Sequence, residues 1–390
     1  MGFYGLLNLP WWGYILVALI TTHITALGIT LFLHRSQAHS AVKFHPAVNH
    51  FFRFWLWFFG GMKTKEWVAV HRKHHATCET DEDPHSPVTH GLKTILFEGA
   101  EMYRRAKKDP KLLEKYGKGT PDDWLEKHVY STPFLRGKLG VLMLYVLCIV
   151  LLGIPGIIVF AYQMAWTPFY AAGIINGVGH FFGYRNFQCQ GGDNSRNILP
   201  IGILIAGEEL HNNHHAYGTS AKFSVKWWEF DIGWMYIKLL SFFGLAEPRR
   251  TIPKAKMIKN KTDVDLDTIK SIIRNKLHLV FKYNQLVIKK TIKDDNTLNT
   301  KRRRASKLLT TDPGIMTDQD IQAMNQILQN NATLKTCYDA LEKLKSIWLQ
   351  PATNNQTLID QLKQWCSNAE HSGIAPLQNF SSYLKSYHVA

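Results

Sequence analysis

The chain has 390 residues, 46% of them hydrophobic, with 46 Lys and Arg against 30 Asp and Glu and a formal net charge of +16. That length suits one large domain with an appendage, or two ordinary domains. No finger spacing or aromatic RNA-binding signature accompanies the charge, so nucleic acid is set aside in favour of an anionic membrane surface or a polyanionic substrate.

Cys78, Cys148, Cys189, Cys337 and Cys366 are scattered and form no Cys-x-x-Cys pair. This argues against a disulfide framework or a thiolate zinc site and fits a reducing compartment. Residues 1–33 contain no Lys, Arg, Asp or Glu, and no basic leader with a small-residue cleavage site is evident. Residues 10–33 are long enough to cross a hydrocarbon core of roughly 30 Å. Trp11, Trp12 and Tyr14 are placed for an interfacial belt. His23 is the polar anomaly of this stretch and reads first as a packed histidine. Residues 51–61 are aromatic and apolar but too short to span, so an interfacial or half-buried helix is expected.

A second apolar block covers 139–180 and is broken by Gly153-Ile154-Pro155-Gly156. Gly and Pro favour a tight turn there. A hairpin is expected, with one short or tilted span near 139–153 and another near 157–180. Basic residues cluster in 35–138 and after 181, which puts both regions on the cytoplasmic side. Three full spans then leave the N-terminus outside, and a fourth crossing before His34 would reverse that. In 264–293, Leu266, Ile269, Ile273, Leu277, Val280 and Val287 recur at helical spacing. Lys301-Arg302-Arg303-Arg304 reads as a solvated basic run, and 317–349 and 356–367 read as helical. The expected fold is an all-α integral membrane protein with three to four transmembrane helices and a cytosolic histidine-rich helical cap. Residues 1–250 form its membrane domain, and 251–390 a basic, mainly helical cytosolic extension.

Eight of the 18 histidines fall into three clusters. His34 and His39 frame His-Arg-Ser-Gln-Ala-His. His71, His74 and His75 lie in His-Arg-Lys-His-His, and His211, His214 and His215 in His-Asn-Asn-His-His. Positions i, i+3 and i+4 share one face of a helix, so each His-x-x-His-His aims three imidazoles into one volume. Five residues turn a helix by roughly 140°, so His34 and His39 converge best if the helix ends or bends near Ser36. Asn176 and His180 are four apart at the end of the last apolar block. Alone they would be core residues; beside eight other histidines a ligand role for His180 is favoured. So many imidazoles exceed the roughly four ligands of one zinc. Two metals fit the count, although imidazole suits Fe, Zn, Cu and Ni alike. Adventitious binding is the plain alternative, and the internal, patterned placement argues against it.

At these residues the sequence resembles the membrane fatty acid desaturases, specifically the acyl-CoA Δ9 (stearoyl-CoA-type) branch, over roughly residues 10–248. His34 and His39 resemble the first histidine box, at the end of a transmembrane helix. Trp67 with His71, His74 and His75 resembles the second box with its upstream tryptophan, and Asp83-Pro84-His85 the short motif after it. Asn176 with His180-Phe-Phe-Gly-Tyr-Arg resembles the segment that supplies one histidine ligand and a water-holding asparagine. Gly207-Glu208-Glu209-Leu210 leading into His211, His214 and His215 resembles the third box.

The resemblance implies two Fe ions (Fe2+/Fe3+) held by His34, His39, His71, His74, His75, His180, His211, His214 and His215, with Asn176 acting through a water. It implies O2 as co-substrate and two electrons, used to leave a cis double bond at Δ9 in a saturated acyl chain on CoA or another acyl carrier. An unactivated C–H bond has no acidic proton, so no separate acid or base is assigned and the metal centre carries the chemistry. The protein's share is to hold the chain against it. Glu66, Asp83 and Glu208 are candidate carboxylates behind the ligands. Arg104, Arg105, Lys107 and Lys108 lie where such enzymes meet CoA phosphates, and Trp67 is grouped with the substrate contacts. Ala18 and Thr22, one turn apart, lie where the far end of an acyl tunnel would limit chain length.

No His-Pro-Gly-Gly haem motif is present. Electrons are therefore expected from a separate protein of the ferredoxin, cytochrome b5 or flavin reductase type. The expected location is a bacterial inner membrane, with metal site and C-terminus cytoplasmic. Two other functions are weighed. A membrane di-iron hydroxylase of alkyl or acyl chains would share the site and differ in product. A metal transporter or sensor should place its ionisable ligands at mid-membrane depth, whereas these clusters sit at span ends.

Overall fold

Uncharged, apolar residues wind into α1 (Trp11–Leu27), which runs on without a break as a π-helical segment, Gly28–Ala38. The computed structural model describes residues 3–132, 134, 138–189, 191–295, 298, 302–349 and 354–389; Lys301 of the basic run lies outside them. The chain divides into two units. One comprises Met1–Arg185 with Asp193–Ile252, the other Asn186–Gly192 with Pro253–Ala390.

In the first unit α1 is followed by α2 (Pro46–Gly60), α3 (Thr64–Ala76) and α4 (Leu92–Ala106). Then come α5 (Leu139–Leu152) and α6 (Ile154–Pro168), the latter continued by a second π-helical segment, Phe169–Val178. The helices α7 (His211–Ala216) and α8 (Ile232–Phe242) follow, and shorter helical turns lie at Pro87–His90, Pro110–Tyr116 and Glu126–Tyr130. Trp11–Ala38 and Ile154–Val178 are long and apolar enough to cross a membrane. Trp11, Trp12, Leu19 and Ile20 turn more than half their surface outward, as lipid-facing side chains do.

Of the three to four spans expected, two helices among the described residues have the length, and Leu139–Leu152 and Ile232–Phe242 are shorter apolar helices. Helix α5 is apolar, but its 14 residues give only about 21 Å at 1.5 Å per residue. Gly153 ends it at φ +69, where an added Cβ would stand 2.1 Å from the Phe3 carbonyl oxygen. The N–H groups of Leu6 and Leu7 donate to the carbonyls of Val150 and Leu151 at 3.0 and 2.9 Å. The N-terminal segment thereby satisfies carbonyls that the end of α5 leaves open.

Helix α2 buries Phe52, Leu56, Trp57 and Phe58 and exposes Phe51 and Phe54, a half-buried helix as its length implied. The core beside it gathers Leu31, Phe32, Leu33, Leu56, Ala206 and Ile237. Val42–Phe44 pairs antiparallel with Ala246–Pro248, and Ile201–Gly202 pairs parallel with Phe230–Asp231. Arg35, fully buried, is held bidentately by Asp231 at 2.9 and 3.1 Å and lies over the Phe223 ring.

The second unit packs Leu279, Tyr283, Leu334, Leu362 and Phe380 into its own core. The single helix expected over 264–293 is interrupted at Asn275, whose side chain donates to the Ser271 carbonyl at 2.8 Å. It is followed by Lys276–Tyr283, a π-helical Asn284–Ile288 and Lys289–Asp294. Asp318–Asn330, Ala332–Leu349 and Asn355–Glu370 are helices. Ala375–Lys385 is a further helix that hydrophobic spacing did not reveal.

Candidate metal centre

The π winding at the end of the first long apolar helix decides where the first two histidines point. The His39 N–H donates to the His34 carbonyl at 3.1 Å. That is an i to i+5 bond, and the wider π winding returns His39 close to the face of His34. Continued winding, rather than a bend near Ser36, brings them together. Helix α3 presents His71, His74 and His75, and α7 presents His211, His214 and His215. His180 follows the second π segment through Gly179, where a Cβ would meet the His211 ring at 3.0 Å.

The histidines fall into two groups. His34, His39, His71, His75 and His214 place ligand-capable nitrogens within 4.8 Å of one another; His74, His180 and His215 do so together with Cys78. In the first group the Nε2 atoms of His34 and His214, of His39 and His71, and of His75 and His214 are each 2.9 Å apart. In the second, His74 and His180 face each other at 3.2 Å. His211 approaches His180 at 2.9 Å, again through Nε2.

Four carboxylates stand behind these rings. Glu208 meets His34 Nδ1 at 2.6 Å, Asp83 meets His74 Nδ1 at 3.0 Å, Glu79 meets His180 Nδ1 at 2.8 Å and Asp193 meets His215 Nδ1 at 2.9 Å. A carboxylate holds the ring proton on Nδ1 and leaves Nε2 with its lone pair. Lone pairs then confront one another at His74 and His180, which repels unless a cation lies between them. His215 Nε2 is buried without a hydrogen-bond partner. The donor set therefore fits metal ions in both groups.

Electrostatics favour the neutral ring at six of these histidines, whereas Asp83 outweighs burial and raises His74. Burial, then neighbouring imidazoles, pushes His39, His71, His75, His211 and His214 well below the usual histidine range. Burial outweighs Asp193 at His215 and takes it down to about 3. Neutral imidazole is the ligating form. Burial alone would raise Asp83 and Asp193, but His74 and His215 hold them well below the usual carboxylate range.

Of the three carboxylates singled out from sequence, Asp83 and Glu208 touch histidines and Glu66 does not. Glu66 pairs with Lys107 at 2.6 Å and Lys63 at 3.6 Å, which corrects its assignment. Glu79 and Asp193 were missed. Glu79 lies in the turn just after the second cluster, a placement that could have signalled it. Asp193 comes from a loop with no spacing relation to any cluster.

A cavity of about 200 Å³ reaches the histidines; Trp67, Arg104, Lys107, Asn176 and His211 are in its wall. Trp67 stacks on His71 with ring centroids 4.9 Å apart. Arg105 and Lys108 are outside that wall, and Arg105 pairs with Glu101 at 3.8 Å. Asn176 faces the cavity while its amide donates to the Ala171 carbonyl at 3.2 Å. A second cavity, about 330 Å³, is walled by Leu19, Thr22, His23, Tyr162 and Trp166. Ala18 is not in this wall; its carbonyl accepts from Gln163 Nε2 at 3.0 Å. His23 bonds Tyr236 at 3.1 Å. Ile29, Thr167, Ala171, Ile175 and Glu208 belong to both walls, so the cavities adjoin.

Comparison with known proteins bears on this arrangement. A family profile described as fatty acid desaturase matches residues 9–238, and one described as transposase matches residues 269–390. The second unit shows no group of His, Cys, Asp or Glu placed to hold a metal among its described residues. The sn-1 stearoyl-lipid 9-desaturase of Anabaena variabilis is 32% identical over 243 residues, covering 60% of this chain and 83% of that protein. Delta-9 acyl-lipid desaturase 1 of Arabidopsis thaliana is 29% identical over 238 residues, 60% of this chain and 74% of its own. Acyl-CoA 5-desaturase AL21 of Anemone leveillei is 31% identical over 227 residues, 56% of this chain and 66% of its own. With a profile match over more than half its length, this chain belongs to the fatty acid desaturase family.

Proposed function

We propose that this chain is an O2-dependent desaturase that places a cis double bond at Δ9 of a saturated acyl chain. Two irons would be held by His34, His39, His71, His75 and His214 on one side and by His74, His180, His211 and His215 on the other. The observation that carries this reading is the set of Nε2 atoms facing one another, with proton positions fixed by carboxylates, against a cavity wall. When bound, the irons supply the oxidising chemistry that an unactivated methylene requires.

The residues of the chain do the rest. Glu208, Asp83, Glu79 and Asp193 orient the rings, and their four negative charges match those of two divalent cations. Asn176 would hold a water toward the group containing His211, with which it shares a cavity wall. Ile29, Ala171 and Ile175 form an apolar passage that excludes water and fixes which carbons face the histidines. Arg104 and Lys107 suit the phosphates of an acyl-CoA; the relatives named for stearoyl-lipid substrates extend the reading to chains on lipid carriers.

Electrons would come from a separate donor. Residues 1–250 would carry the reaction in a bacterial inner membrane, with α5 and α6 as a hairpin and 251–390 as a cytoplasmic extension. Expression in a host lacking unsaturated fatty acids, followed by mapping of double bonds, tests the reading. New Δ9 alkenes are expected; a hydroxylated acid without an alkene would replace desaturation with hydroxylation.

A further inference from the structure

Cavity wall and outer surface meet at one place on the first unit. Ile203, Leu204 and Ile205 share the wall of the second cavity with Leu19, Thr22 and Ala26 of α1. Thr22 and Ala26 precede His34 by twelve and eight residues, about 18 and 12 Å along a helix. The loop that shares this wall therefore lies at the depth of the apolar span. Yet Leu19, Ile203 and Leu204 are 54%, 43% and 66% exposed. The second cavity opens outward between them, where the surroundings of a spanning helix are hydrocarbon.

The surface around that opening suits lipid. Leu199, Ile201, Trp227 and Phe230 are all exposed, Trp227 almost completely. Ile201 pairs directly with Phe230, which joins the two loops into one apolar patch. A soluble surface rarely carries such a patch without a partner. The patch is continuous with α1 through Leu19 and Leu204.

The backbone is prepared for the same environment. Non-helical chain at membrane depth must satisfy its own polar groups. Glu209, 1% exposed, does this for the loop. Its carboxylate accepts from the Ile205 N–H at 2.8 Å and the Gly207 N–H at 3.1 Å. The Ile203 N–H donates to the Ile201 carbonyl at 3.1 Å, and the Glu208 N–H to the Ile205 carbonyl, also at 3.1 Å.

We infer that residues 199–205, with Trp227 and Phe230, dip into the bilayer and rim a lateral port through which a hydrocarbon chain of a bilayer lipid enters the second cavity. Beyond the port, Ile29, Ala171 and Glu208 lead that chain to the histidines. Use of the chain rests on the desaturase reading; its entry does not.

The full-length protein in nanodiscs containing phosphatidylglycerol with a mid-chain diazirine tests the port. After photolysis, adducts are expected on Thr22, Trp166 or Tyr170 inside the wall, as well as on Leu204 and Trp227. Leu204→Trp, and separately Leu19→Trp, should abolish the interior adducts and keep those on Leu16 and Ile20, which report an intact fold. Wild-type adducts confined to the outer surface would overturn the port. A nitroxide at Trp227→Cys more accessible to a water-soluble nickel chelate than to oxygen would overturn the membrane contact and leave the patch to a protein partner. Alkene formation, on acyl-CoA and on the nanodisc lipid alike, is scored separately with iron and an electron donor supplied. Its absence beside interior adducts sinks the enzymatic reading and leaves the port standing.

Discussion

Replacing Asp193 with Asn separates the two metal groups. Asp193 Oδ2 accepts from His215 Nδ1 at 2.9 Å, while Oδ1 accepts from the Ser195 N–H at 2.7 Å. Asparagine keeps the volume and the second bond. Its amide nitrogen, however, turns a donor toward His215 Nδ1. Two donors cannot face each other, so the ring proton moves to Nε2, the atom that stands buried without a partner. A protonated Nε2 cannot bind metal. Loss of such a carboxylate lowers metal affinity about 10–100-fold, roughly 1.4–2.8 kcal/mol. The loss should fall on the group of His74, His180 and His215, while Glu208 keeps His34 and its partners ready. Protein equilibrated over graded free Fe2+ and counted by plasma mass spectrometry should show two binding steps in the wild type. In Asp193→Asn one step should move by one to two decades and the other stay. Two unmoved steps, or equal weakening of both, would refute the reasoning.

Chelation of the metals should lower the melting temperature, because the neutral imidazoles are then left in mutual repulsion; at about a thousandfold excess over Kd a bound ion contributes roughly 4 kcal/mol, and an unchanged melt by circular dichroism would contradict this. Thr22→Phe narrows the second cavity and should shift products toward shorter chains by gas chromatography, whereas Ala18→Phe, outside the wall, should shift them less. Leu362→Ala, at a fully buried position, should cost the second unit about 2–5 kcal/mol and leave metal content unchanged. Asp265, raised by burial but held down to about 2 by Lys261 and the Thr268 N–H, caps the helix at Leu266–Arg274. A depressed carboxylate stabilises above its unfolded value near 4 and loses that contribution as pH falls toward 2. Asp265→Asn should flatten the acid melt of this unit over that window.

Helical spacing made the imidazole faces of α3 and α7 legible, since i, i+3 and i+4 fix direction without tertiary information. The same rule misdirected the first pair, because it assumes 3.6 residues per turn and the chain winds as a π-helix there. Asp83 and Glu208 stood next to clusters and could be named. Asp193 could not, because only the folded loop brings it to His215. Glu66 looked equivalent to Asp83 in sequence, but Lys107 reaches it first. The interruption at Asn275 was invisible to hydrophobic period, which continues in phase across it. Helix α5 ends where the Gly and Pro turn was read, but the close approach of Gly153 to Phe3 is a steric reason that composition does not carry.

The π-helical turn between His34 and His39 has a consequence for how this stretch tolerates change. A π turn is an α turn with one residue added. The Ser36 and Gln37 carbonyls accept from the Ser40 N–H and Arg72 Nη2, through backbone atoms that any residue supplies. Deleting either residue would rotate one imidazole by roughly 100° relative to the other, and would swing Arg35 away from Asp231 or His39 away from His71. At Ser36 and Gln37 the chain is free in spelling, while its length, and with it the aim of Arg35 and His39, is fixed.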